Sequence, residues 1–145
     1  MSAISLRQEG TWLPADVQTP ISLYLGLVGE RPGILLESAE VDGRLGRYSL
    51  IAWDFRLRLR MKDGLLDVSV RDSRLEGLSQ YHGQGFMEGM RGILADLTVL
   101  PPEGFADVPP ITRSLAGYFG YGIAGILEPK LAPVLPPEEA EFCLV

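Results

Sequence analysis

Between Phe55 and Met61 the chain alternates without a break: Phe55, Leu57, Leu59 and Met61 are apolar, and Arg56, Arg58 and Arg60 are charged. A period of two belongs to a β-strand with one dry face and one wet face. Lys62, Asp63 and Gly64 follow, and an Asp-Gly pair tolerates the positive φ angles of a type I′ turn. Leu66, Val68 and Val70 resume the alternation, so the sequence predicts a hairpin from about 55 to 71. Burying the four apolar side chains of its first strand contributes about 6–12 kcal/mol gross, an upper bound. A slip of one residue forfeits that gain by turning three arginines inward. The arginines read as a solvated face rather than an anion site.

The other elements are shorter. Thr19 before Pro20 is a helix start, because the hydroxyl caps free amides and proline at the first helical position sacrifices no hydrogen bond. Ile21, Tyr24, Leu25 and Val28 then recur at helical spacing, predicting a helix over 20–29 that Gly29 ends. After the Arg31-Pro32-Gly33 turn, residues 34–38 read as a largely buried strand. A second apolar stretch runs from Arg47 to Ala52. Residues 72–85, with three glycines and little pattern, read as a surface connection. Met87, Met90, Ile93, Leu94 and Leu97 predict an amphipathic helix over 86–99. Prolines at 101, 102, 109 and 110 exclude a central strand there, whereas Leu115 to Tyr121 is aromatic and β-prone. A short helix is expected from Ile123 to Glu128, and Glu141 to Val145 reads as a strand that has only begun. Together these elements predict an α+β fold: a mainly antiparallel, twisted sheet with the helices near 20–29 and 86–99 packed on one side.

At 145 residues and 46% hydrophobic content the chain can bury a core of its own, and one domain is the expectation. A net charge of −6 gives no positive field to draw in nucleic acid or anionic lipid. The apolar runs are broken by glycines and fall short of the 20 or so residues of a membrane span, and no signal-peptide pattern opens the chain. A cytoplasmic protein with neither nucleic acid nor membrane as partner is expected. Cys143, the only cysteine, reads as a small buried apolar residue, and His82, the only histidine, as an exposed loop residue. Neither seeds a Cys/His metal cluster. The glycine-rich pieces do not fit phosphate-binding patterns.

Leu35-Leu36-Glu37-Ser38 followed by Gly46-Arg47-Tyr48-Ser49, with Gly117-Tyr118-Phe119-Gly120-Tyr121 downstream, forms an ordered set, "LLES … GRYS … GYFGY". With the Thr-Pro helix start before it and the Lys-Asp-Gly turn between, this arrangement resembles the amino-terminal region of anthranilate synthase component I, from about Trp12 onward. The resemblance implies an enzyme, a lyase that converts chorismate to anthranilate and pyruvate in tryptophan biosynthesis. It implies Mg²⁺ in a carboxy-terminal catalytic domain and ammonia from a glutamine amidotransferase subunit. Residues 1–145 would be the amino-terminal regulatory domain, truncated before its own carboxy-terminal catalytic domain, so the segment would hold no catalytic residue, cofactor or metal ligand.

The resemblance also implies that the LLES segment carries feedback inhibition by L-tryptophan, with Ser38 in the amino-acid pocket and Leu36, Glu37 and Arg47 beside it. A free amino acid needs acceptors for its ammonium, donors for its carboxylate and a dry slot for its indole. Ser38 offers donor and acceptor, Arg47 a fixed positive fork and Leu36 an apolar wall. In a regular strand Ser38 and Glu37 face opposite ways, so Ser38 is taken as the contact and Glu37 as an ion-pair or backbone-positioning residue. The family commonly continues GYFGY with aspartate; here Gly122 stands in that place. Two other readings fit the same motifs: the amino-terminal region of aminodeoxychorismate synthase component I, and a structural module that completes a sheet and docks the amidotransferase.

Overall fold

The computed structural model describes residues 3–37, 48–105, 107–137 and 139–144. In chain order the elements are β1 (Ile4–Arg7), α1 (Pro20–Leu27), β2 (Gly33–Glu37), β3 (Ser49–Trp53), β4 (Leu57–Lys62), β5 (Leu65–Val70), α2 (Phe86–Asp96), β6 (Leu97–Leu100), β7 (Ala116–Phe119), α3 (Ala124–Leu127) and β8 (Ala140–Leu144). They fall into two compact units: one holds the residues up to Glu9 together with Arg56–Leu144, the other Gly10–Phe55. The fold is α+β and its pairing mostly antiparallel, as expected, but the strands divide among three sheets. The largest has the order β5-β4-β8-β7, all antiparallel; β2 pairs with β3 antiparallel, and β1 pairs with β6 in parallel.

The hairpin forms in the register its alternation demands. Leu59 faces Val68 and Met61 faces Leu66 across β4 and β5, and the turn residues Asp63 and Gly64 have φ of 52° and 74°. Phe55, Leu57, Leu59 and Met61 are all buried. On the wet face each arginine has a carboxylate: Arg56 with Asp72, Arg58 with Glu141 on β8, Arg60 with Asp67 on β5. Such partly exposed pairs add little stability, but they leave these guanidinium groups already matched with anions of the protein itself.

Two local expectations are corrected. Residues 72–85 are not a bare surface connection: Ser73–Tyr81 winds as successive 3-10 turns whose Leu75, Leu78 and Tyr81 are buried in the core with Phe86 and Ile93. Their spacing of three is the 3-10 period, which puts all three on one face. Second, the helix predicted over 86–99 ends at Asp96, because Leu97–Leu100 leaves it to pair in parallel with β1. The closing strand β8 lies inside the four-stranded sheet, between β4 and β7. His82 is exposed, as expected, and its Nδ1 accepts the Val68 amide at 3.2 Å. Cys143 is buried, and burial pushes its thiol up, away from the reactive thiolate.

Tyr81 fixes α2 against the 3-10 segment. Its hydroxyl donates to Asp96 Oδ2 at 2.7 Å, and its ring lies where a side chain at Gly92 would project.

Asp72 starts the 3-10 segment and ties it to β4. Its carboxylate accepts the Arg74 backbone amide at 3.1 Å and Arg74 Nε at 2.9 Å, and pairs with Arg56 at 3.2 Å. The Arg74 side chain beside Asp72 holds this carboxyl well below its ordinary value of 3.8. A depressed carboxyl stabilises the fold above the unfolded-state value and loses that contribution as pH falls through the folded-state value. The difference in urea midpoint between the wild type and Asp72→Asn is therefore expected to be steady at neutral pH and to shrink below about pH 4. A difference that persists undiminished in acid would refute the ionic origin of the clamp.

Candidate functional site

The segment that carries the resemblance lies in the second unit. There the sequence builds a helix followed by a two-stranded pair. Thr19 Oγ1 accepts the Ser22 amide at 3.0 Å, and Ser22 Oγ accepts the Thr19 amide at 2.9 Å, a reciprocal capping box with Pro20 in the first turn. At the other end of α1, Arg31 Nε donates to the Val28 carbonyl at 3.1 Å and its guanidinium also reaches the Leu27 carbonyl. The same group pairs with Asp54 at 3.1 Å and lies 6.0 Å from the Trp53 ring. Arg31 thus joins the carboxyl end of α1 to the residues at the end of β3. Sequence reading passed over it because its partners are brought close only by the β2–β3 pairing; a cation just beyond a helix end was the available signal.

The β2–β3 register runs from Gly33 opposite Trp53 to Leu36 opposite Leu50 and Glu37 opposite Ser49. Val28 and Ala52 are buried at the closed end, and an added side chain at Gly33 would meet Val28. Toward the other end the side chains become exposed: Leu36 is 44% exposed, and Glu37, Tyr48 and Ser49 are exposed. Among the described residues Glu37 has no ion-pair partner. Of the four predicted pocket residues, Leu36 and Glu37 thus lie at the exposed end of this pair. Ser38 and Arg47 lie outside the described residues. Glu37, the last described residue before that stretch, lies directly opposite Ser49.

The GYFGY residues lie in the other unit. Gly117 to Phe119 sit on β7, and Gly120 and Tyr121 follow it into a 3-10 turn, Tyr121–Ile123. Phe119 meets Phe142 edge-on at 4.9 Å between ring centroids, and Phe86 at 6.4 Å. Tyr118 donates to Glu139, and this bond to a carboxylate pushes the phenol up from its ordinary value. Gly122 is buried: a side chain there would meet the carbonyl oxygens of Pro136 and Pro137. The motif is thus packed through Phe119 and Gly122, while Tyr118 and Tyr121 are largely exposed. Among the described residues no cluster of three His, Cys, Asp or Glu side chains converges on a point, and no helix is long and apolar enough to cross a membrane.

No family model matches the chain. Individual relatives do. It is 31% identical over 124 residues to anthranilate synthase component 1 of Pseudomonas aeruginosa, an alignment covering 86% of this chain and 24% of the relative. The same protein of Cereibacter sphaeroides is 30% identical, with 80% of this chain and 23% of the relative covered. That of Mycolicibacterium smegmatis is 34% identical over 121 residues, covering 81% and 22%. The chain spans about a quarter of the length of the curated relatives it matches. Over nearly its whole length the chain is thus a homologue of the amino-terminal quarter of anthranilate synthase component 1, and it belongs to that family.

Proposed function

We propose that residues 1–145 are the regulatory portion of an anthranilate synthase large subunit and carry its L-tryptophan feedback segment. Ser38 and Arg47 would hold the amino-acid group, Ser38 as donor and acceptor and Arg47 as the fork for the carboxylate, with Leu36 as apolar wall and Glu37 positioning the backbone. The observation that carries this reading is homology to the amino-terminal quarter of component 1, with "LLES" and "GRYS" intact. The β2–β3 pairing is compatible with it, since Leu36 and Glu37 are exposed at the end of β2 that leads into the Ser38–Arg47 stretch.

In this reading the catalytic domain that binds chorismate and Mg²⁺, and the glutamine amidotransferase subunit that supplies ammonia, are the partners, and the setting is cytoplasmic. The 145-residue segment alone forms no anthranilate. Inhibition requires tryptophan to favour one arrangement of the regulatory and catalytic parts over another.

In a polypeptide joining this segment to its catalytic part, Ser38→Phe is expected to raise the half-inhibitory tryptophan concentration about 100-fold or more. That is the loss of two charge-assisted hydrogen bonds at about 1.5–3 kcal/mol each. Turnover without tryptophan stays near normal. Steady-state assays at increasing tryptophan decide it, and an unchanged inhibition curve refutes the assignment of Ser38.

A second reading, a docking module for the amidotransferase, is favoured by one observation. α1 has no buried residue and exposes Ile21, Leu25 and Leu27, an apolar surface of the kind that marks contact sites.

A further inference from the structure

The side chains of β2 and β3 do little to fix the register of the pair. Of the residues on the two strands only Ala52 is buried, and register is weakly specified where so little of a strand is buried. A tight turn fixes register in many hairpins, but these strands are joined through residues 38–48, too many for one. Two strands by themselves are at best marginally stable. Backbone pairing also stops at Gly33 opposite Trp53, next to Pro32, which has no amide N–H to add to the ladder.

Just beyond that last rung a side chain takes over. Arg31 pairs with Asp54 at 3.1 Å, donates from Nε to the Val28 carbonyl at 3.1 Å, reaches the Leu27 carbonyl and lies 6.0 Å from the Trp53 ring. Its donors form a rigid fork, so a guanidinium held by two carbonyls of α1 cannot follow a carboxylate that moves. A slip of β2 against β3 by one residue displaces Asp54 by about 3.3 Å, enough to part the pair. Asp54 itself has φ of 54°, a left-handed conformation that aspartate tolerates better than most residues. The chain thus bends out of β3 at the residue that Arg31 holds. Both side chains are half exposed or more, 50% and 59%, so the pair adds little to overall stability. What it does is select one register among several of similar stability.

We propose that Arg31 is a positioning residue for the tryptophan segment: by pinning the Gly33–Trp53 end of the ladder it keeps Glu37 opposite Ser49 at the other. A one-residue slip would turn Leu36 and Glu37 to the opposite faces, and with them the chain that runs on into Ser38. This role rests on the reading of Ser38 and Arg47 as the amino-acid contacts. Without the clamp only a fraction of molecules holds the competent register, and apparent tryptophan affinity falls by that fraction.

Inhibition assays on a polypeptide joining this segment to its catalytic part test it, with Ser38→Phe run alongside. Arg31→Gln is expected to raise the half-inhibitory tryptophan concentration about 5- to 30-fold, with kcat and KM for chorismate unchanged when tryptophan is absent. Arg31→Lys, which keeps a charge facing Asp54, should return it to within about 3-fold of the wild type. Asp54→Asn, which tolerates the same left-handed bend, should shift inhibition the same way, and the double variant no further than the larger single effect. In the 145-residue chain, amide exchange followed by NMR should quicken at least about 5-fold across β2 and β3 in Arg31→Gln and stay unchanged in β4 and β5.

If Ser38→Phe relieves inhibition and Arg31→Gln does not, the positioning role is overturned and the tryptophan reading stands. If neither relieves it, both fall. Uninhibited turnover that drops in step with inhibition marks a merely structural residue and overturns the role, as does relief of inhibition with β2–β3 exchange unchanged. Should Arg31→Gln fail to fold, Asp54→Asn decides by the same readings.

Discussion

Gly117→Ala is expected to destabilise the larger unit by about 2–4 kcal/mol and to lower its melting temperature by roughly 8–30 °C. On propensity alone the sign is the opposite, because alanine in a strand is favoured over glycine by about 0.5–1 kcal/mol. Geometry reverses it. A Cβ at position 117 would press on the Glu141 carbonyl oxygen and lie 2.6 Å from Phe142 Cα and 2.7 Å from Phe142 Cδ1. Two of those atoms are backbone of β8, an interior strand held on its other side by β4, so no side-chain rotation relieves the overlap. β7 has to withdraw, and with it go the contact between the rings of Phe119 and Phe142 and the bond from Tyr118 to Glu139. Thermal and urea unfolding followed by circular dichroism measure the loss. An alanine variant as stable as the wild type would show that β7 approaches β8 less closely than described.

How much of this was legible in the sequence depends on how local the determining contacts are. The hairpin was readable because its pattern and its turn reside in sixteen consecutive residues, and Leu57, Leu59 and Leu66 are buried where alternation put them. α1 was readable from Thr19 and Pro20 for the same reason. The parallel pairing of Ile4–Arg7 with Leu97–Leu100 was not, since its partners are over ninety residues apart and Leu97 also continues the helical spacing of Met90 and Ile93. Leu75, Leu78 and Tyr81 carried a three-residue signal, but a search for periods of 3.6 and 2 passes over it. The division into three sheets follows from such long-range pairings. For the candidate pocket, alternation placed Leu36 and Glu37 on β2, while the assignment of Ser38 and Arg47 came from family resemblance alone. A hydroxyl and a guanidinium nine residues apart have no periodicity that could announce a shared ligand.

The position after GYFGY provides the other large effect, and it runs against family usage. Gly122→Asp introduces the residue that the family commonly carries there, yet it is expected to destabilise this chain by about 3–5 kcal/mol. Gly122 is buried, and its missing side chain points at the carbonyl oxygens of Pro136 and Pro137, the first at 2.5 Å from an added Cβ and the second closer still. Part of the loss is overlap, which Gly122→Ala isolates at about 1–3 kcal/mol. The remainder is electrostatic: a carboxylate faces two acceptors with no donor among those nearest atoms, and a charge so placed is neither solvated nor paired. The aspartate variant should therefore unfold at lower urea than the alanine variant, and the gap between them should narrow in acid, where the carboxyl is neutral. Equal stability of the glycine and aspartate forms would mean that residues 136–137 give way readily. The departure from the family would then be incidental. A large loss ties the two together, because the chain can bring Pro136 and Pro137 against the turn after β7 only where residue 122 has no side chain.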